Sequence, residues 1–128
     1  MIRSIAQTTN LRPVPPLPDA LRQARTVLVV EAAGALRFLE RNPMQQGVVM
    51  THMRMLNLHM LAQIAPDAVI GPLIGPGWDS LDLGIALEEL GYEGTFYILT
   101  RPLPRAELVL RELRGCCPTL TIKLIETA

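Results

Sequence analysis

Thr26–Glu31, TVLVVE, is an apolar and mostly β-branched run closed by one carboxylate. It lacks the polar alternation of a strand with one face in water. That composition marks a central strand of a parallel sheet, covered on both faces. Such a strand needs neighbours on both edges and helices above and below, and the flanking sequence supplies them.

Downstream, helical and strand patterns alternate. Ala32–Asn42 (AAGALRFLERN) reads as a helix with Leu36 and Leu39 placed for burial and Asn42–Pro43 as its stop. Gly47–His52 (GVVMTH) is a second strand, and Met53–Ala65 (MRMLNLHMLAQIA) a second helix ended by Pro66. Asp67–Ile74 (DAVIGPLI) is a third strand, followed by a Gly75–Pro76–Gly77 loop. Leu81–Leu90 forms a third helix, with Asp79 and Ser80 as caps and Gly91 just past its end. Thr95–Thr100 (TFYILT) is a fourth strand, Pro104–Arg114 a fourth helix followed by Gly115, and Thr119–Ile125 (TLTIKLI) a fifth strand. This alternation implies right-handed crossovers and a three-layer, doubly wound α/β fold with a five-stranded parallel sheet. In the last strand Leu120, Ile122 and Leu124 point one way and Thr119, Thr121 and Lys123 the other, as at an edge with one covered face. No residues remain for a final helix over the polar face, so the domain is expected to be complete without one. The N-terminal arm or a second copy of the chain would cover part of that face.

Upstream, Pro13, Pro15, Pro16 and Pro18 remove backbone donors and favour extended chain. Residues 1–20 are therefore expected to be a proline-rich arm and 21–128 the domain, with a short helical turn at Pro18–Ala24 leading in. A chain of 128 residues, 49% hydrophobic with mean hydropathy +0.27, suits one well-buried domain. Aromatics make up 4%, so aliphatic side chains and Met must fill the core. Twelve basic residues balance twelve acidic ones, which gives no support for a nucleic-acid or membrane-surface partner. Cys116 and Cys117 are adjacent and read as small residues at a turn rather than a disulfide, redox or metal pair. With no secretory signal and no membrane-spanning run, a soluble, cytoplasmic protein is expected.

The order and length of elements from Thr26 to Ile125 resemble the receiver domain of bacterial response regulators, which implies strand order 2-1-3-4-5. Pro66–Leu83 (PDAVIGPLIGPGWDSLDL) is similar to the receiver segment in which a strand opening Pro-Asp runs to the phosphoacceptor aspartate and then a Pro-Gly loop. The resemblance implies an acidic pair after the first strand, a Thr or Ser ending the fourth and a Lys ending the fifth. Here those positions hold Glu31 and Ala32, Thr100, and Lys123 within one residue. The phosphoacceptor position falls on Pro72, which has neither nucleophile nor carboxylate. A lone carboxylate cannot readily hold Mg²⁺ against its hydration shell, so the chain reads as a degenerate, pseudo-receiver domain.

Other constellations carry less. Glu31, Thr100 and Lys123 would form either a remnant pocket for a nucleotide or small anion or three ordinary polar strand ends, the plainer reading being preferred. The Gly71–Gly77 loop lacks the Lys-Ser/Thr of a P-loop and follows the wrong strand for a dinucleotide fingerprint. His52 and His59 have no third ligand nearby, and Ser80 lacks a nucleophile elbow, so no metal, cofactor or catalytic residue is expected. The second helix has apolar residues on more than one face, among them Met53, Met55, Leu56 and Met60. Either a partner or the arm and neighbouring elements would cover the surplus. The expected function is a non-enzymatic, phosphorylation-independent protein-interaction module in bacterial regulation, as a homodimer through those residues or through Thr119, Thr121 and Lys123. The alternative is a small-ligand sensor around Glu31, Gly71, Gly75 and Thr100.

Overall fold

The computed structural model describes residues 18–39 and 47–127. The proline arm up to residue 17 lies outside the described residues, as do residues 40–46, where the expected first helix would end. The elements in chain order are α1 (Asp19–Gln23), β1 (Thr26–Val30), a 3-10 turn at Ala33–Ala35, α2 (Leu36–Leu39), β2 (Gly47–Thr51), a 3-10 turn at Met53–Met55, α3 (Leu58–Ile64), β3 (Ala68–Pro72), β4 (Ile74–Gly75), β5 (Trp78–Asp79), α4 (Ser80–Glu89), β6 (Thr95–Thr100), α5 (Ala106–Cys116) and β7 (Thr121–Glu126). Five strands form one sheet in the order β2-β1-β3-β6-β7, every neighbouring pair parallel. Counting only the strands of this sheet, that is the expected order.

Alternation along the strands builds two cores. Leu28, Val30, Val69, Phe96, Ile98 and Ile122 face α3, α4 and α5, which contribute Leu61, Leu83, Leu87 and Leu113, with Cys117 just after α5. Val27, Val29, Ala68, Ile70, Tyr97 and Ile125 face the opposite side, where Leu21 of α1 and Ala35 and Leu39 complete a second cluster. The fold is therefore the three-layer α/β sandwich that the buried run Thr26–Val30 demands. Among the described residues its second layer is built from the short helices α1 and α2 and the 3-10 turn before α2. Leu21 is nonetheless fully buried, so the segment leading into β1 belongs to the packed domain. No helix among the described residues is long and apolar enough to cross a membrane.

Several element boundaries differ from the sequence reading, each for a local reason. The expected helix Met53–Ala65 is broken. Leu56 is extended, and Asn57 caps a new start by accepting the Met60 backbone N–H at 2.8 Å. The expected Gly75–Pro76–Gly77 loop is the tip of an antiparallel hairpin, β4 with β5, in which Gly77 takes φ +82° behind Pro76, as a type II turn requires. Asp79 does cap α4, in a reciprocal box with Asp82, but Ser80 is buried as the first helical residue. Gly91 at φ +78° and the Tyr92 N–H to Leu87 carbonyl bond of 3.0 Å close that helix in a Schellman motif, as its position suggested. Gly115 lies inside α5, which runs on to Cys116, and β7 begins at Thr121 because Thr119 is engaged elsewhere, donating to Glu88 from its N–H (3.2 Å) and hydroxyl (2.6 Å). The polar alternation of the last strand holds at Thr121 and Lys123, which are exposed, and fails at Ile125, which is buried in the second core.

Because Leu21 packs inside the second core, Leu21→Ala should lower unfolding free energy by about 2–5 kcal/mol. An unshifted urea midpoint would show that α1 is a detachable arm instead.

Candidate functional site

The carboxyl ends of β1, β3 and β6 carry the residues singled out from sequence, and hydrogen bonds decide which of them meet. Pro72 is the last residue of β3, its Cα paired with Leu99 of β6. From there the chain turns into the β4–β5 hairpin. The Leu73 N–H bonds the Leu99 carbonyl (3.3 Å), and the Ser80 N–H bonds the Leu73 carbonyl (2.9 Å), so the hairpin base is stitched to the sheet edge. Its far strand brings Trp78 to the end of β1.

There Glu31 joins three segments. Its Oε2 accepts the Trp78 indole Nε1–H at 3.0 Å and the Met53 backbone N–H at 2.8 Å. Oε1 lies 3.7 Å from His52 Nδ1, outside hydrogen-bond range. Glu31 leaves β1 in a left-handed conformation, φ +49°, that a non-glycine side chain rarely adopts, while its own N–H bonds the Thr51 carbonyl at 3.1 Å. The side chain is 18% exposed. The Met53 N–H has the largest influence; burial opposes it, Trp78 and His52 add smaller lowering effects, and the net result holds the pKa below the ordinary 4.5. The carboxylate is thus ionised and ties the ends of β1, β2 and the hairpin together.

The other expected positions do not join it. Ala32 is buried in the second core. Thr100 is 9% exposed, and its hydroxyl donates to the Arg101 carbonyl at 3.0 Å. Lys123 pairs with Tyr97 in mid-strand and is exposed, whereas the partner of Thr100 is Glu126. The trio Glu31, Thr100 and Lys123 therefore does not converge, because the fifth strand sits further along than counting suggested. Gly71 is buried under Leu83 and Phe96, and Gly75 lies under the Trp78 ring, where an added Cβ would come within 2.5 Å of the indole. The expected Glu31–Gly71–Gly75–Thr100 pocket is accordingly not the one formed.

An opening of about 440 Å³ lies instead between Glu31, His52, Arg54 and the hairpin tip Pro76–Gly77–Trp78. It sits beyond β1 and β3, where the strand order reverses direction and where open α/β sheets place their ligands. Trp78 was missed by the sequence reading. As the chain's only tryptophan, directly after a Pro-Gly turn behind the third strand, it was the available signal. Among the described residues no group of three His, Cys, Asp or Glu side chains is placed to hold a metal ion.

Of the expected interface residues, Met53, Leu56 and Met60 pack partly against the first core, and Met60 Sδ accepts the Thr51 hydroxyl at 3.6 Å. Met55 stays 54% exposed, next to Leu58 at 62%. Thr119 is occupied by Glu88, leaving Thr121 and Lys123 as the free polar side chains of that edge.

No protein-family model matches the chain, and no curated protein matches it. Among solved structures it is similar to a LuxR-family two-component response regulator from Aurantimonas sp. SI85-9A1, with TM-score 0.53 and 17% identity over 78% of this chain and 71% of the other. At that identity the likeness establishes the fold, the α/β receiver-like class.

Glu31 titrates lower folded than unfolded, so its contribution to stability is complete above about pH 4.5 and lost as pH falls through the lowered value. The urea-midpoint gap between the wild type and Glu31→Gln should be largest at neutral pH and shrink below that window. A gap that stays constant down to pH 3 (roughly a unit below the ordinary carboxylate range) would remove the latch role.

Proposed function

We infer that this chain is a receiver-like module that works without aspartyl phosphorylation, by contact with another protein in bacterial regulation, the first partner being a second copy of itself. The observation that carries this reading is Pro72 at the tip of β3, beside a Glu31 carboxylate already occupied by Trp78 and Met53. Aspartyl phosphorylation needs a carboxylate nucleophile at that tip and acidic oxygens around a divalent ion. Proline offers no nucleophile, alanine stands where the second acid would be, and Lys123 lies away from the edge. Contact as the mechanism is supported by Met55 in the turn before α3 and Leu58 at the first position of α3, which stay exposed, with Met50 at 49% on β2. No nucleophile with a positioned base is found among the described residues, so the proposal includes no catalysis. A second reading, a sensor for a small ligand, is favoured by the cleft beside Glu31.

Incubation with acetyl phosphate and Mg²⁺ should leave the intact mass unchanged, and a gain of one phosphoryl group would defeat the phosphorylation-independent reading. In sedimentation velocity the protein should associate as concentration rises, and Met55→Glu with Leu58→Glu should shift it to monomer with unchanged circular dichroism. A wild type that is monomeric throughout would rule out the second copy as partner.

A further inference from the structure

The cleft beside Glu31 has a chemistry that the interaction reading does not use. Its volume of about 440 Å³ falls among those of sites that hold small molecules. Of the two Glu31 oxygens, Oε2 takes both hydrogen bonds, while Oε1 has only His52, at 3.7 Å. Half-buried Trp78 forms one wall through its tie to the carboxylate. Arg54, exposed at the rim, has no ion-pair partner among the described residues. The left-handed backbone at Glu31 is the kind of local strain that clusters at ligand clamps.

These groups discriminate between ligand classes. A simple anion would approach Arg54 but meet the Glu31 carboxylate. An apolar molecule would strip water from Oε1 without replacing its hydrogen bonds. A bare divalent ion would find one carboxylate and too few further oxygens. A protonated amine suits both the open carboxylate oxygen and the indole, and Arg54 then calls for a negative group on the same molecule. We propose that the cleft binds a small zwitterion, its amine set against Glu31 Oε1 and Trp78 and its anionic end against Arg54.

Because Trp78 is the only tryptophan, its emission reports on this cleft alone. The test titrates the full chain with glycine, γ-aminobutyrate and O-phosphoethanolamine, zwitterions of increasing span, and separately with cadaverine, inorganic phosphate and magnesium chloride. At least one zwitterion should give a saturable change in emission, weakened roughly tenfold or more by Glu31→Gln and by Arg54→Ala, each of which removes a charge-assisted contact. Arg54 is exposed, so its variant keeps the test decisive if the Glu31 variant folds poorly. Three results would overturn the proposal: no saturable response to any zwitterion at millimolar concentration, an equal response to cadaverine, phosphate or Mg²⁺ alone, or a zwitterion response that Arg54→Ala leaves unchanged. The absence of any zwitterion response leaves the phosphorylation and self-association experiments untouched, so the two readings fail separately.

Discussion

A carboxylate left at the end of a buried parallel strand must be solvated by something, and here the protein does most of it. Glu31 ends β1 in a left-handed turn, and its Oε2 draws in the Met53 N–H from beyond β2 and the Trp78 indole from the hairpin beyond β3. Those two bonds decide the shape of the sheet's carboxyl edge. The first fixes the short turn at Met53–Met55 that precedes α3, and the second pulls the hairpin back over the sheet. That edge is drawn together by one acid with one aromatic donor, and an opening remains on the side of His52 and Arg54.

The neighbouring residues follow the same logic. After proline at the tip of β3 the chain folds back as a hairpin and carries an indole to Glu31. With Ala32 after Glu31, the first strand has one charge to satisfy rather than two, and two neutral N–H donors suffice. Thr100 turns its hydroxyl to the neighbouring Arg101 carbonyl. In the second layer, among the described residues, Leu21 and Leu39 pack with the core residues of β1 and β3, while Thr121 and Lys123 stay exposed at the edge.

The sheet was legible in the sequence because burial on both faces leaves strands such as TVLVVE and TFYILT almost without polar residues, and parallel connections leave few topologies. The tips of elements were not. Asn57 breaks the second helix through a side-chain cap, a contest between two locally acceptable conformations that apolar spacing does not record. Lys123 was placed near the edge by counting, and the observed register with Tyr97 shows how a slip of a few residues changes which groups meet. Glu31 and Pro72 were found as positions, but the partners of Glu31 were not, since Met53 contributes its backbone and Trp78 arrives from 47 residues away.

The Glu31–Trp78 bond is open to direct observation, because one tryptophan gives one indole N–H resonance in a nitrogen–proton correlation spectrum. A bonded indole should resonate away from its unfolded-chain position, exchange slowly with solvent, and move toward that position with faster exchange in Glu31→Ala. A resonance at the unfolded-chain position that exchanges freely in the wild type would contradict the account.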